Sequence, residues 1–197
     1  MHHRVRAEAV SEEQGRALLR HHVHPAPVAA EQAGVAPDLA QAVAGDTVPL
    51  ERVLRDPADA RQRAELLVAL RSSGELAAVQ AVVTRAARLA EKGSLAPTVL
   101  SAGAVVDPAL FEQPSEAAML QVLNTLEPIA TGTSADRYGQ LAQGLTAGAS
   151  ALAAFFDGDQ SVMVMADDPA VRSNRLNLLA VLRNQASVLA DFSRLSG

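Results

Sequence analysis

The chain has 197 residues, of which 49% are hydrophobic and 20% charged, with no cysteine and a net charge of −5. A chain of this length can form one domain that folds without stabilising disulfides or metal ions. The lack of cysteine excludes disulfides, thiolate metal sites and cysteine nucleophiles. No apolar run reaches the roughly 18 residues of a membrane span, and the first residues lack the apolar core of a signal peptide. We therefore expect a cytoplasmic protein without membrane contact. Its acidic balance argues against a general coat for DNA or RNA, but it leaves room for a local basic face.

Alanine, leucine, glutamate and arginine dominate the composition, and β-branched and aromatic residues are sparse. This bias predicts an all-α bundle of about six to eight helices. We expect residues 1–24 to be a leader or the start of a first helix, and residues 25–197 to form one helical domain. The last helix is predicted from near Asp168 to about Ser193. Helix starts are indicated by side-chain acceptors at four positions, namely Asp56, Ser115, Ser134 and Asp168.

No pattern in the chain predicts a metal site or catalytic residues. All five histidines lie in the first 24 residues, and none belongs to a zinc-ligand frame. The stretch Asp157–Ser161 resembles the start of a calcium loop, but Val162 stands where the loop requires glycine, so a tight turn capped by aspartate is favoured. No phosphate-binding glycine loop or nucleophile elbow is present. The histidines are His2, His3, His21, His22 and His24.

The segment from Glu75 to Lys92 has two distinct faces at helical spacing. One face is apolar, and the other gathers Arg85, Arg88 and Lys92. A solvated face with cations near the helix C-terminus and a ligand-binding stripe are both compatible with this pattern. The apolar positions predicted to face the core are Leu76, Val79, Val82, Val83, Ala86 and Ala90.

Arg175 falls inside the apolar stripe of the last helix. Because a buried guanidinium must be paired, we expect a structural ion pair rather than a ligand contact, with Asp168 as partner and Asp167 or Asp157 as alternatives. Arg172 and Arg183 flank the stripe and could reach a partner or solvent. The stripe consists of Val171, Leu178, Leu182, Ala186, Leu189 and Phe192.

The C-terminal third carries a resemblance to a known family. Phe155–Asp157, the run Val162–Leu179 and Leu189–Ser193 resemble the C-terminal end of the bacterial glycyl-tRNA synthetase beta subunit. Upstream, Val83–Ala90 and Glu116–Leu120 are similar to the same family, and the resemblance is strongest after about residue 150. The insertion Gly158–Ser161 resembles the cyanobacterial form.

The resemblance implies a DALR-type anticodon-binding fold for residues 25–197, related to the domain that ends arginyl-tRNA synthetases. It implies glycine tRNA, a separate alpha subunit and the rest of the beta subunit as partners. It places ATP with magnesium in the alpha subunit and no cofactor in this chain. The chain is far shorter than a complete beta subunit, so we expect a fragment, an engineered piece or a truncated reading frame, inactive alone although part of a ligase. Thr84, Ala86 and Ala87 depart from the family, so no contacts are carried over to them.

Two hypotheses for function follow. In the first, the chain binds tRNA through Arg85, Arg88 and Lys92 with help from Arg172 or Arg183, and amide side chains of Asn174 or Gln80 contact bases. In the second, it is a helical protein-interaction module whose cations are only solvated. Salt dependence distinguishes them, because phosphate-driven affinity falls steeply with salt.

Overall fold

The computed structural model describes residues 34–196, and in this range it contains seven α-helices, two short 3-10 helices and no strand. The all-α prediction and the expected number of helices are therefore confirmed. The predicted leader at residues 1–24 and the five histidines lie outside the described residues. The α-helices are α1 Pro37–Ala44, α2 Leu50–Arg55, α3 Pro57–Ser73, α4 Glu75–Ala90, α5 Pro114–Thr131, α6 Arg137–Ala154 and α7 Pro169–Ser187.

Two of the four predicted helix starts are confirmed by their hydrogen bonds. Asp56 accepts the N–H of Asp59 at 3.1 Å, and Asp168 accepts the N–H groups of Ala170 and Val171 at 2.7 and 3.3 Å. In both cases the next residue is a proline at the first helical position. A side-chain acceptor followed by proline satisfies the free N–H groups of a helix start and presets its backbone angle.

The other two predicted starts are wrong by one or two residues. Helix α5 begins at Pro114, and the buried Ser115 hydroxyl instead donates to the carbonyl of Gln160. Helix α6 begins at Arg137, after the Ser134 hydroxyl has bonded to the Asp136 carboxylate. In each case the serine hydroxyl donates to another acceptor and accepts no N–H of the helix start.

The last helix ends at Ser187, about six residues before the predicted end. The chain leaves the helix because the N–H of Asp191 donates to the Ala42 carbonyl at 2.8 Å, across to α1. The Asp191 carboxylate then accepts the N–H of Ser193 at 3.0 Å and starts the 3-10 helix Phe192–Arg194. No glycine or proline marks this end in the sequence, so a tertiary contact decides it.

Helix α7 lies against α4 and α5, and α5 pairs with α6. All apolar positions predicted to face the core on α4 and α7 are buried, and Leu182 is completely inaccessible. Glycines let α5 and α6 approach closely: a Cβ on Gly148 would lie 2.6 Å from Val122 Cγ1, and one on Gly144 would lie 2.6 Å from Leu126 Cδ2. The period of the apolar residues therefore predicted the core correctly.

The turn at Gly74 separates α3 from α4. Its φ of 82° is in the left-handed region, which glycine adopts without strain. Within residues 34–196 no single helix is long and apolar enough to cross a membrane, and α3 and α4 pass that test only as a pair bent by 112°.

The segment after α6 forms the predicted tight turn, but the Asp157 carboxylate accepts from Arg85 and does not cap the turn as predicted. Gly158 has a φ of 86°, and the N–H of Ser161 donates to its carbonyl at 3.1 Å. Nowhere in the described part of the chain do three histidine, aspartate or glutamate side chains come together as a metal site would require.

Candidate nucleic-acid interface

Helices α4 and α7 run in opposite directions, and this arrangement brings the predicted basic residues to one side of the bundle. Along α4, the Gln80 amide donates to Leu195 at 2.9 Å and the Thr84 hydroxyl to Phe192 at 3.2 Å. A Cβ on Gly93 would lie 3.3 Å from Leu176 Cβ. The end of α4 therefore meets the start of α7. We call the exposed surface that carries Arg85, Arg88, Lys92 and Arg172 the α4–α7 face.

Arg85 is half exposed and already has one carboxylate. Its Nη1 lies 2.9 Å from the Asp157 carboxylate, and its guanidinium lies 4.5 Å from the centre of the Phe156 ring. Exposed ion pairs of this kind contribute about 0 to 1 kcal/mol. Arg85 is therefore oriented on the surface and remains open to exchange its carboxylate for another anion.

Arg88 is exposed and makes no ion pair with any described residue. It lines a groove of about 790 Å³ on this side, and no carboxylate of the described residues lines it. We call it the Arg88 groove. Its lining residues are Ala77, Gln80, Ala81, Thr84, Arg85, Arg88, Leu89, Ser193 and Leu195.

Lys92 and Arg172 line a second concavity, of about 350 Å³, and none of its lining residues in the described part of the chain is a carboxylate. Lys92 lies in the turn after α4, and Arg172 lies in the first turn of α7. The sequence placed the two cations on separate helices, and the structure brings them together. Lys92 is one helical turn beyond Arg88, so the two concavities follow one another along α4.

Three side chains that were predicted to contact RNA make hydrogen bonds within the fold instead. The Arg183 guanidinium donates to the Asn184 side chain at 2.9 and 3.0 Å and to the Leu95 carbonyl at 3.4 Å. Asn174 is buried and exchanges hydrogen bonds with the backbone of Asp107. The Gln80 amide is half-buried and held by Leu195, although it still lines the Arg88 groove. Arg183 and Asn174 therefore hold loops and line neither concavity on this side.

Arg175 is buried, as its place in the apolar stripe predicted, but the expected partner was wrong. Its Nε donates to Glu116 at 2.8 Å and its Nη2 to Glu112 at 2.7 Å, while Asp168 caps α7. The carboxylate comes from α5, which is distant in sequence and adjacent in space. Burial acts to raise the pKa of Glu116, but hydrogen bonds from Arg175 and from two backbone N–H groups outweigh it and lower that pKa.

Sequence reasoning missed a row of amide side chains on α7 that holds the long connection between α4 and α5. Asn177 donates to Val105 at 2.7 Å, Asn184 to Ala96 and Val99, and Gln185 to Leu100. The sequence did contain a sign of these contacts, because four amide side chains lie within one helix beside its apolar stripe. Their bonds satisfy the backbone of a loop that has little regular structure of its own.

The α4–α7 face has the groups needed to bind anions. Its two concavities offer hydroxyl, amide, ammonium and guanidinium groups, and among residues 34–196 no carboxylate or histidine that could act as a base lines either of them. Chemistry of this kind suits the recognition of phosphates.

Comparison with known proteins finds relatives that all carry the same name. The beta subunit of glycine–tRNA ligase from Acaryochloris marina is 48% identical over 79% of this chain, and that from Picosynechococcus is 45% identical over 82%. The same subunit of Acinetobacter baumannii is 34% identical over the whole chain. The chain is homologous to part of this beta subunit.

The chain spans about a quarter or less of the length of these relatives, namely 22%, 23% and 25%. No family model matches it. The resemblance to a glycyl-tRNA synthetase beta subunit is therefore confirmed, and the two cyanobacterial relatives agree with the form that the Gly158–Ser161 insertion suggested.

Proposed function

We propose that this glycine–tRNA ligase beta subunit homologue is a tRNA-binding, anticodon-recognising domain of the DALR type. The α4–α7 face carries the proposal, because Arg85, Arg88, Lys92 and Arg172 lie on or directly after adjoining helices, around two concavities that no carboxylate of residues 34–196 lines. The relatives are subunits of an enzyme named for its tRNA. A local cluster of cations allows phosphate binding even in a chain of net charge −5.

In this proposal the chain acts in the cytoplasm as part of a ligase and does no chemistry itself. The rest of a beta subunit and a separate alpha subunit are its protein partners, and the alpha subunit holds ATP with magnesium. The residues of the α4–α7 face orient the RNA backbone. Base selection by stacking contributes little, because the chain has one tyrosine and four phenylalanines, and Tyr138, Phe155, Phe156 and Phe192 are buried.

The test is binding of glycine tRNA at several salt concentrations by the wild-type chain and the Arg85→Ala/Arg88→Ala variant. Three phosphate contacts predict a log-log salt slope between about −2 and −3 for the wild type, and a slope shallower by about 1.4 to 1.8 for the double variant. Arg55→Ala/Arg61→Ala removes the same charge from α2 and α3 and is the matched control. It should leave the slope unchanged.

The alternative, a protein-interaction module, has its own observation. Leu50 and Leu54 lie one turn apart on α2 and are 43% and 63% exposed. Equal affinity and slope for the wild type and the Arg85→Ala/Arg88→Ala variant would exclude the α4–α7 face from RNA binding. That result would favour the interaction module instead.

A further inference from the structure

The Lys92–Arg172 concavity combines two cations with neutral donors. Besides Lys92 and Arg172 it is lined by the exposed hydroxyls of Ser94 and Ser173, neither of which donates a hydrogen bond to another described residue. Its volume is about 350 Å³. The remaining lining residues are Gly93, Pro169, Leu176 and Asn177.

The two sides of this concavity are held in place by contacts within the fold. Gly93 lies close to Leu176: a Cβ at position 93 would be 3.3 Å from Leu176 Cβ, a tight contact that leaves little space between the turn and α7. On the other side, Arg172 Nη1 donates to the Ala166 carbonyl at 2.9 Å. A guanidinium has five N–H donors, so most of those of Arg172 remain for a ligand. Arg172 is thus oriented by a backbone carbonyl, and Lys92 is carried by a turn that packs against α7.

The local charge is not cancelled by an ion pair. Within residues 34–196 neither Lys92 nor Arg172 has a carboxylate within 4.0 Å. Asp168 is the nearest acid in sequence to Arg172, but its carboxylate faces the N–H groups of Ala170 and Val171 and does not line the concavity. The site therefore depends on side chains and not on the free N–H groups of a helix start.

We propose that the Lys92–Arg172 concavity binds a single phosphate group, and that its natural occupant is one phosphodiester of an RNA backbone. Ammonium and guanidinium groups with hydroxyl donors suit a tetrahedral oxyanion. The concavity lies directly beyond the Arg88 groove, so a polynucleotide on the α4–α7 face would reach it. This assignment to RNA rests on the proposed function, whereas binding of the phosphate group itself does not.

The first experiment follows inorganic phosphate by NMR of the 197-residue chain. Phosphate should shift the backbone signals of Gly93, Ser94 and Ser173 and the Arg172 Nε signal, and Lys92→Gln/Arg172→Gln should abolish these shifts. Arg172→Lys keeps the charge and should retain weakened binding, which separates a lost ligand contact from a disturbed α7. Unchanged shifts in the double variant, or shifts only elsewhere, would overturn the site.

The second experiment measures glycine tRNA binding by the same Lys92→Gln/Arg172→Gln variant. Loss of one phosphate contact should make the log-log salt slope shallower by about 0.7 to 0.9. If this variant loses phosphate but no variant changes tRNA affinity, the RNA occupant and the proposed function fail and a free phosphate remains. If Arg85→Ala/Arg88→Ala weakens tRNA binding and Lys92→Gln/Arg172→Gln does not, the proposed function stands and the RNA occupant is refuted.

Discussion

Arg63 of α3 and Arg175 of α7 are both buried, but the protein neutralises them in opposite ways. Arg63 shares the single carboxylate of Asp59 with two other arginines, Arg52 and Arg137. Arg175 has two carboxylates to itself, one buried and one exposed. If Asp59 is lost, no other carboxylate of the described residues pairs with its three arginines. If Glu116 is lost, Glu112 still pairs with Arg175 and acts as a reserve. The two clusters should therefore respond very differently to the loss of one acid.

The geometry of the Asp59 cluster shows how much depends on that one side chain. Arg63 Nε donates to Asp59 at 3.0 Å, and its Nη2 lies 2.9 Å from the same oxygen without hydrogen-bonding geometry. The Tyr138 hydroxyl donates to the other oxygen and accepts from Arg52 and Arg137. Burial acts to raise the pKa of Asp59, but the Tyr138 bond and the charges of Arg63 and Arg52 outweigh it and lower that pKa.

The largest predicted effect is that of Asp59→Asn. This change leaves the fully buried Arg63 without a carboxylate, and stranding a buried charge costs about 3 to 5 kcal/mol. Urea unfolding of the variant and of the wild type measures the difference. Asp46→Asn, at an exposed aspartate, is the matched control and should change stability by less than about 0.5 kcal/mol. A loss below about 1 kcal/mol for Asp59→Asn would show that solvent already screens the cluster.

Glu116→Gln should have a smaller effect, although Glu116 is completely buried. Glu112 remains beside Arg175, and the new amide oxygen can still accept one hydrogen bond. The expected loss is that of hydrogen bonds to a charged group, about 1.5 to 3 kcal/mol. The same urea measurement applies. A loss equal to that of Asp59→Asn would contradict the view that Glu112 acts as a reserve.

The two clusters also show what the sequence could and could not predict. Arg175 was predicted to be buried because it interrupts the clear apolar stripe of α7. Arg63 was not, because α3 mixes arginines with apolar residues and shows no distinct face. The acid that meets Arg175 was out of reach of the sequence, because Glu116 lies 59 residues away. Asp59 lies only four residues before Arg63 on the same helix, but Tyr138, which completes that cluster, lies 79 residues from Asp59. Helical period identifies a buried face and pairs within one helix, whereas tertiary packing decides which distant groups meet it.

The same limit applies to the α4–α7 face. The pattern of α4 correctly put Arg85, Arg88 and Lys92 opposite the core. It could not show that Asp157 pairs with Arg85, that Arg183 holds the Leu95 carbonyl, or that Arg172 joins Lys92. These relations depend on how α4 and α7 pair and on where the intervening loops return.

The ion pair between Arg71 and Asp38 is more exposed than the two buried clusters, and it shows how solvent reduces the contribution of an ion pair to stability. Arg71 donates to Asp38 at 3.0 Å and lowers the pKa of that carboxyl from 3.8 to about 2. Because the folded-state pKa is depressed, the stabilisation is present above about pH 4 and is lost as the pH falls toward about 2. Arg71 is 36% exposed, so we expect only about 1 to 2 kcal/mol.

The measurement is the unfolding free energy of the wild type and of Asp38→Asn between about pH 6 and pH 2.5. At the higher pH the wild type should have a larger unfolding free energy than Asp38→Asn. The two plots of unfolding free energy against pH should converge as the pH falls, because Asp38 of the wild type becomes protonated. A difference that stays constant over this range would show that the carboxylate charge does not contribute.

The smallest predicted effect is that of Glu112→Gln, and it sharpens the comparison most. The Glu112 side chain is 60% exposed, so its ion pair with Arg175 should contribute less than about 1 kcal/mol while Glu116 is present.

In a Glu116→Gln background the same change removes the last carboxylate from the buried Arg175, and the double variant should then lose about 3 to 5 kcal/mol, as Asp59→Asn does. A double-mutant cycle in urea measures the coupling, which should exceed about 0.5 kcal/mol because the two glutamates share one partner. Additive losses would show that Glu112 gives Arg175 no reserve, and that its exposed position keeps it solvated even when the buried acid is gone.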